Sequence, residues 1–202
     1  MIEAVEISAP DGAVLRGEVR RGGRVWAVLV HDLGEDIDAW RPLRDALGAR
    51  GVSVLSFDLR GHGGSDGEAA EGFVAGDLEA AIAFVRAAGA ERLVVGAAGE
   101  LVAPALAVVA ASGGDGFFAL APRGEAFARS AVPKLSVCGS RDAAQEAAGS
   151  ALEGSGGWSV VVRLPVGEPG LGMLQGPWRT NVEAYVLGFV RDVARGVPVV
   201  RA

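Results

Sequence analysis

The stretch FDLRGHGGSDG, Phe57 to Gly67, joins an apolar run to a loop that carries Gly61, Gly63, Gly64 and Gly67. The preceding residues, Val52–Phe57, are apolar but for Ser53 and Ser56, and read as a strand buried on both faces. Glycine and serine at this density end the strand and open a loop. Reading outward, the spacing of Phe73, Val74, Leu78, Ile82 and Val85 predicts a helix over Glu71–Ala88. Upstream, Trp26–Val30 reads as another buried strand, and Ile37, Trp40, Leu43 and Leu47 fall on one helical face. Further upstream, Ala4–Ser8 and Val14–Val19 flank Asp11-Gly12, a hairpin signal.

The alternation continues downstream. A strand is expected at Leu93–Val95, then an all-apolar, hence buried, helix from Leu101 to Ala111, with Pro104 near its first turn or kinking it. Strands follow at Phe117–Leu120, Leu135–Cys138 and Ser159–Leu164, with a helix at Ala143–Leu152. The last helix is expected to start near Pro177, with Val182, Tyr185, Val186, Phe189, Val190 and Val193 on one face. Buried strands alternating with helices predict an α/β fold: a mostly parallel central sheet with helices on both faces and an antiparallel N-terminal hairpin. No linker or repeat divides the chain, so residues 1–202 are read as a single domain.

The composition excludes several classes of function. A net charge of −6 with scattered arginines and one lysine, Lys134, is no nucleic-acid surface. Leu93–Ala111 is the only stretch apolar enough to suggest a membrane span, and Glu100 sits inside it. The N-terminus lacks a signal-peptide pattern, and the single cysteine, Cys138, suits a reducing compartment, so a cytoplasmic location is expected. Two histidines and one cysteine give no metal-ligand spacing, and no phosphate-loop motif joins a strand to a helix. Neither a metal nor a cofactor is expected. Cys138 reads as a buried strand residue.

In parallel sheets, ligands collect beyond the carboxyl ends of the strands. The segments there are His31–Asp36, Asp58–Ser65, Gly96–Glu100, Cys138–Asp142 and Pro165–Leu174. Together they resemble the α/β-hydrolase family, in particular its small, cap-less, dienelactone-hydrolase- or esterase-like members. FDLRGHGGSDG is similar to the family's F-D-x-R-G-H-G-x-S loop, and Val28–Leu47 to its H-G-x-G segment and first helix. The dozen or so residues between Leu120 and Lys134 are too few for a cap domain.

The resemblance implies a serine nucleophile in a G-x-S-x-G turn, a histidine, a carboxylate and an oxyanion hole. Counted from Gly96, the nucleophile position is Ala98, with Glu100 in place of the last glycine. The histidine position falls on Pro169 of PGLGML, and no histidine follows His62. Asp142, in Gly139-Ser140-Arg141-Asp142, matches the family's acid. The oxyanion donors are expected from Leu33 and Gly99, with Asp32 replacing a usual glycine. No triad is intact, so the expectation is a pseudo-hydrolase that binds a small ligand or a protein partner. Two alternatives stay open. One is an enzyme, either a weak esterase-like hydrolase or one with relocated groups such as Glu100 or His31, the possible pocket residues being His31, Asp32, Glu100 and Glu168. The other is a structural role, as a homodimer packed through the last helix and the tail Val197–Val200. The plainer readings are surface charge for Glu100 and Glu168, a salt-bridged Asp142, and loop-tying roles for His31 and His62.

Overall fold

The computed structural model describes residues 1–196. Strands β1 (Ile2–Ser8) and β2 (Val14–Arg20) form the expected antiparallel hairpin, closed by Gly12 at φ +91°. They are followed by β3 (Val25–Val30), α1 (Arg41–Ala49), β4 (Ser53–Phe57), α2 (Val74–Ala87) and β5 (Arg92–Ala98). The second half comprises α3 (Val102–Ser112), β6 (Gly116–Leu120), β7 (Lys134–Gly139), α4 (Ala143–Gly154), β8 (Ser159–Leu164) and α5 (Arg179–Ala194). The eight strands make one sheet in the order β1-β2-β4-β3-β5-β6-β7-β8. β2 runs antiparallel to β4, and every pairing from β4 to β8 is parallel.

The sheet has a core on each face because successive side chains of a strand point to opposite sides. In β3, Trp26, Val28 and Val30 join the core beneath α2 and α3, and Ala27 and Leu29 join the one beneath α1 and α5. Each fully buried Val, Leu or Phe contributes roughly 1.5–3 kcal/mol. No helix intervenes between Leu120 and Lys134, so the sheet carries no cap there.

Several expectations shift in detail. The helix read through Ile37 and Trp40 is two elements, a 3₁₀ turn (Ile37–Trp40) and then α1. Pro42, near the start of α1, lacks an N–H and cannot sit in a helix interior, so the regular helix begins beside it. The last helix starts at Arg179, two residues past Pro177, and of the residues on its apolar face Tyr185 is exposed (43%). Tyr185 borders a groove with Trp158 and Phe189 instead of entering the core. Pro104 lies in the first turn of α3, as expected. The stretch apolar enough to suggest a membrane span divides into β5 and α3, and no described helix is long and apolar enough to cross a membrane. Tail residues Val197–Val200, expected at a dimer contact, lie outside the described residues.

The loop after β4 is stitched by its own polar residues. Asp58 accepts from the N–H groups of Ile37 and Gly64, and the Ser65 hydroxyl donates to the Asp58 carbonyl. Arg60 is buried against Asp77 and also reaches Asp11 in the β1–β2 turn. The lone lysine, Lys134, is fully buried, and its ammonium donates to the carbonyls of Ser130, Val132 and Gly156. Three carbonyls match its three N–H donors, which makes an unpaired cation tolerable there.

Candidate functional site

The topology chooses the place. The chain steps from β3 to β4 on one side, then returns to put β5 on the other side of β3. Such a reversal opens a crevice between the loops that leave the two strands. The register places Val30 beside both Phe57 and Ala97, so β3, β4 and β5 end level. His31-Asp32, Asp58 and the Gly99 turn therefore share one edge of the sheet.

The turn after β5 corrects the spacing taken from Gly96. Ala98 is extended (φ −124°, ψ 155°), fully buried, and packed in the core beneath α1 and α5. It pairs with Leu120 as the last residue of the strand. Gly99 is the left-handed residue, at φ +54°. The chain turns there because a residue without a Cβ takes that conformation at little cost. Gly96 has a different role: a Cβ there would stand 2.1 Å from the Phe118 ring. It is a packing glycine rather than part of the turn, so counting from it set the centre one residue early.

The space beside Gly99 is taken by a carboxylate. A Cβ on Gly99 would lie 1.7 Å from Asp32 Oδ2 and 2.2 Å from its Cγ. Asp32 Oδ1 accepts from the N–H of Leu33 at 2.9 Å and of Glu100 at 3.0 Å. The donor pair is thus Leu33 with Glu100, not Leu33 with Gly99 as expected. One N–H comes from the loop after β3 and the other from the residue after the left-handed turn. That is the composition of an oxyanion hole. Burial pushes the Asp32 carboxyl above its usual range, and nearby Glu35 and Glu100 push it further, while the two N–H groups oppose this.

Glu35 extends the lacing. One of its oxygens accepts from the Asp32 N–H at 3.1 Å, and the other from the Leu171 N–H at 2.9 Å. It therefore ties the β3 loop to the 3₁₀ turn Gly170–Leu174, beyond β8. Pro169 caps that turn and is exposed.

Asp142 caps α4, accepting from the N–H groups of Ala144 and Gln145. Its other oxygen pairs with Arg123 at 2.6 Å. The Arg123 N–H in turn donates to the Gly99 carbonyl at 3.0 Å. The chain reaches this position through Ala121, a non-glycine residue at φ +46°, which is uncommon outside functional or tightly packed turns. Gln145 donates to both Asp142 and the Glu168 carbonyl. The Glu168 carboxylate accepts from the N–H of Gly167, and Glu100 is exposed. Asp142 and Glu168 are thus neighbours, and no hydrogen bond joins either to Glu100.

Burial raises the Asp142 pKa, but the Gln145 N–H, the Arg123 charge and the Ala144 N–H together hold it below the usual value of 3.8. A lowered carboxyl binds its proton more tightly in the unfolded chain. Its stabilisation is therefore present above about pH 3.8 and is lost as pH falls through the folded value. Asp142→Asn, which keeps the cap, is expected to lower stability by about 1 kcal/mol at pH 7. The deficit should shrink on acidification below 3.8, as followed by thermal melts across pH.

The histidines are spent on backbone. His31 is fully buried; Nδ1 meets the Asp32 carbonyl at 2.8 Å, and Nε2 accepts from the Leu59 N–H at 3.1 Å. A carbonyl can only accept and an N–H only donate, so the His31 proton sits on Nδ1. Burial lowers its pKa. His62 bridges the Arg60 carbonyl and the Gly34 N–H in the same way. Both nitrogens of each ring meet backbone groups. Cys138 is buried against Ser136, and burial pushes its thiol up, away from reactivity. Among the described residues, no group of three or more His, Cys, Asp or Glu is placed to hold a metal ion.

Sequence reasoning missed Glu35 and Arg123. Glu35 lay in a segment already marked as a strand end, but nothing in one sequence shows which N–H groups it meets. The signal for the true turn was the Gly99 type itself, since glycine suits a left-handed position better than alanine does.

A family model described as the alpha/beta hydrolase family matches residues 27–201. No curated protein matches the chain. Among solved structures, a Pyrococcus furiosus esterase superposes with a TM-score of 0.79 at 16% identity, covering 95% of this chain and 90% of that one. A Xanthomonas campestris serine hydrolase without a lid gives 0.74 at 20% identity, covering 99% and 97%. A Butyrivibrio proteoclasticus protein with ferulic acid bound gives 0.82 at 13% identity, covering 95% and 99%. At these identities the likeness concerns the fold.

Proposed function

Because the chain belongs to the alpha/beta hydrolase family, we propose that it is a non-catalytic member, working by binding a small ligand or a protein partner. The reading rests on one observation: Gly99 takes the left-handed turn where the fold would present its nucleophile, and the Asp32 carboxylate fills the place of the missing side chain. Glycine offers no atom to attack a carbonyl. In subtilisin, losing the serine alone removes about 10⁶ of kcat, as much as losing the whole triad. Pro169 in the loop after β8, with no histidine beyond His62, agrees with this. Asp142, the one triad-like residue left, pairs with Arg123 instead.

The contrasting reading is a rebuilt hydrolase, as the esterase names among the structural relatives suggest. On this geometry Asp32 is its best nucleophile, ahead of Glu100 or His31. Against it, two N–H groups hold Oδ1, and both histidines are occupied. The test is turnover of a short-chain aryl ester by the protein, by Asp32→Asn and Asp142→Asn, and by a heat-denatured sample. All four are expected to match the blank. Turnover by the native protein that Asp32→Asn or Asp142→Asn abolishes would establish a rebuilt hydrolase and end the non-catalytic reading.

A further inference from the structure

We propose that the N–H groups of Leu33 and Glu100 form a carboxylate-binding site, which Asp32 keeps closed as a tethered ligand. Two backbone donors from separate loops converge on a single oxygen, at 2.9 and 3.0 Å. The second oxygen and the carboxyl carbon lie in volume that exists only because Gly99 has no side chain. The occupant and its cradle are thus complementary on both sides, by hydrogen bonds to Oδ1 and by shape around Oδ2.

The cradle does not depend on the plug for its backbone. The Asp32 N–H is held by Glu35, which is itself anchored at Leu171. The Asp32 carbonyl meets His31 Nδ1, and the Gly99 carbonyl accepts from Arg123. Removing the Asp32 side chain therefore leaves two aligned donors facing a vacancy of known shape. Beyond Cα, the aspartate side chain is a CH₂ bearing a carboxylate, so acetate is the free molecule that matches it. The charged groups around the plug, Glu35 and Glu100, are carboxylates that disfavour its charge. They would weigh equally on a free carboxylate, and the tether gives Asp32 the advantage of high effective concentration.

The experiment is complementation. Asp32→Gly removes the plug, and its melting temperature is measured against sodium acetate, with sodium chloride at matched ionic strength as control. Amide resonances of Leu33 and Glu100 are followed in parallel. Acetate is expected to raise the melting temperature of Asp32→Gly saturably and to shift both amides together. Its binding to the unsubstituted protein should be at least tenfold weaker. Acetamide, which offers the same carbonyl acceptor without the charge, is titrated beside acetate, and a saturable shift larger than that of acetate would show a site for neutral acyl groups and overturn the carboxylate assignment. If Asp32→Gly folds poorly, recovery of folded protein is compared in acetate and chloride, and only acetate should restore it. A variant indifferent to acetate by all these readouts, or an unsubstituted protein that binds acetate equally well, would overturn the proposal. The ester assay reports separately on the proposed function, so either reading can fail without the other.

Discussion

Placing a methyl group on Gly99 is expected to destabilise the protein by about 3 kcal/mol. Two effects add. A left-handed conformation costs a non-glycine residue roughly 1–2 kcal/mol, and Gly99 sits at φ +54°. The new Cβ would also stand 1.7 Å from Asp32 Oδ2, so the carboxylate must leave. Leaving breaks its bonds to the Leu33 and Glu100 N–H groups. Hydrogen bonds to a charged group are worth about 1.5–3 kcal/mol each, less where water can replace the lost partner. In an Asp32→Gly background, only the backbone part remains, and Gly99→Ala should cost about 1–2 kcal/mol. The two sites should therefore couple by more than 1 kcal/mol in a double-mutant cycle, within the range for residues in contact. Urea denaturation of the four proteins measures it. Strict additivity would mean that Asp32 does not fill the space beside Gly99.

Asp77→Ala should be more damaging, at about 3–5 kcal/mol, the range for removing one partner of a buried ion pair. Asp77 is fully buried, and Arg60 is only 6% exposed. Asp77 accepts from the Arg60 backbone N–H, Nε and Nη2. Asp11 would still hold Nη1, but from a half-exposed position. The Phe73 ring covers the guanidinium at 4.0 Å, so water cannot readily replace the lost carboxylate. Replacing both partners, as Arg60→Met with Asp77→Leu, should recover most of the loss, because no uncompensated charge is then left behind. Chemical denaturation of the single and double variants checks this. A single variant within 1 kcal/mol of the unsubstituted protein would show that the pair is not buried as described.

On the proposed non-catalytic reading, the sheet edge is a site that has changed use while the fold persists. Backbone N–H groups that could meet a substrate instead meet the protein's own carboxylates, Asp32 and Glu35. Asp142 likewise faces Arg123. Three loops that would have to accommodate a ligand are thereby laced to one another. Loops joined in this way gain order, and a small molecule must compete with an internal partner for the same donors.

The sequence by itself determined the order of strands and helices, the hairpin at the start, the short connection after β6 and the absence of any histidine past His62. These follow from local periodicity, from residue types that favour or end an element, and from simple presence or absence, all of which are properties of neighbours along the chain. It also located the turn after β5 to within one residue. Only the tertiary structure decided that the turn falls on Gly99 and not Ala98, because the strand's end depends on whether β6 can pair with Ala97 and Ala98, and it does. Only the structure could show that Glu35 meets Leu171, 136 positions away, or that Asp32 meets Glu100, 68 away. A carboxylate's local sequence cannot reveal its acceptor role, since any aspartate or glutamate can accept from any N–H brought within 3 Å. Which N–H arrives is set by the reversal of strand order at β3, a property of the folded sheet.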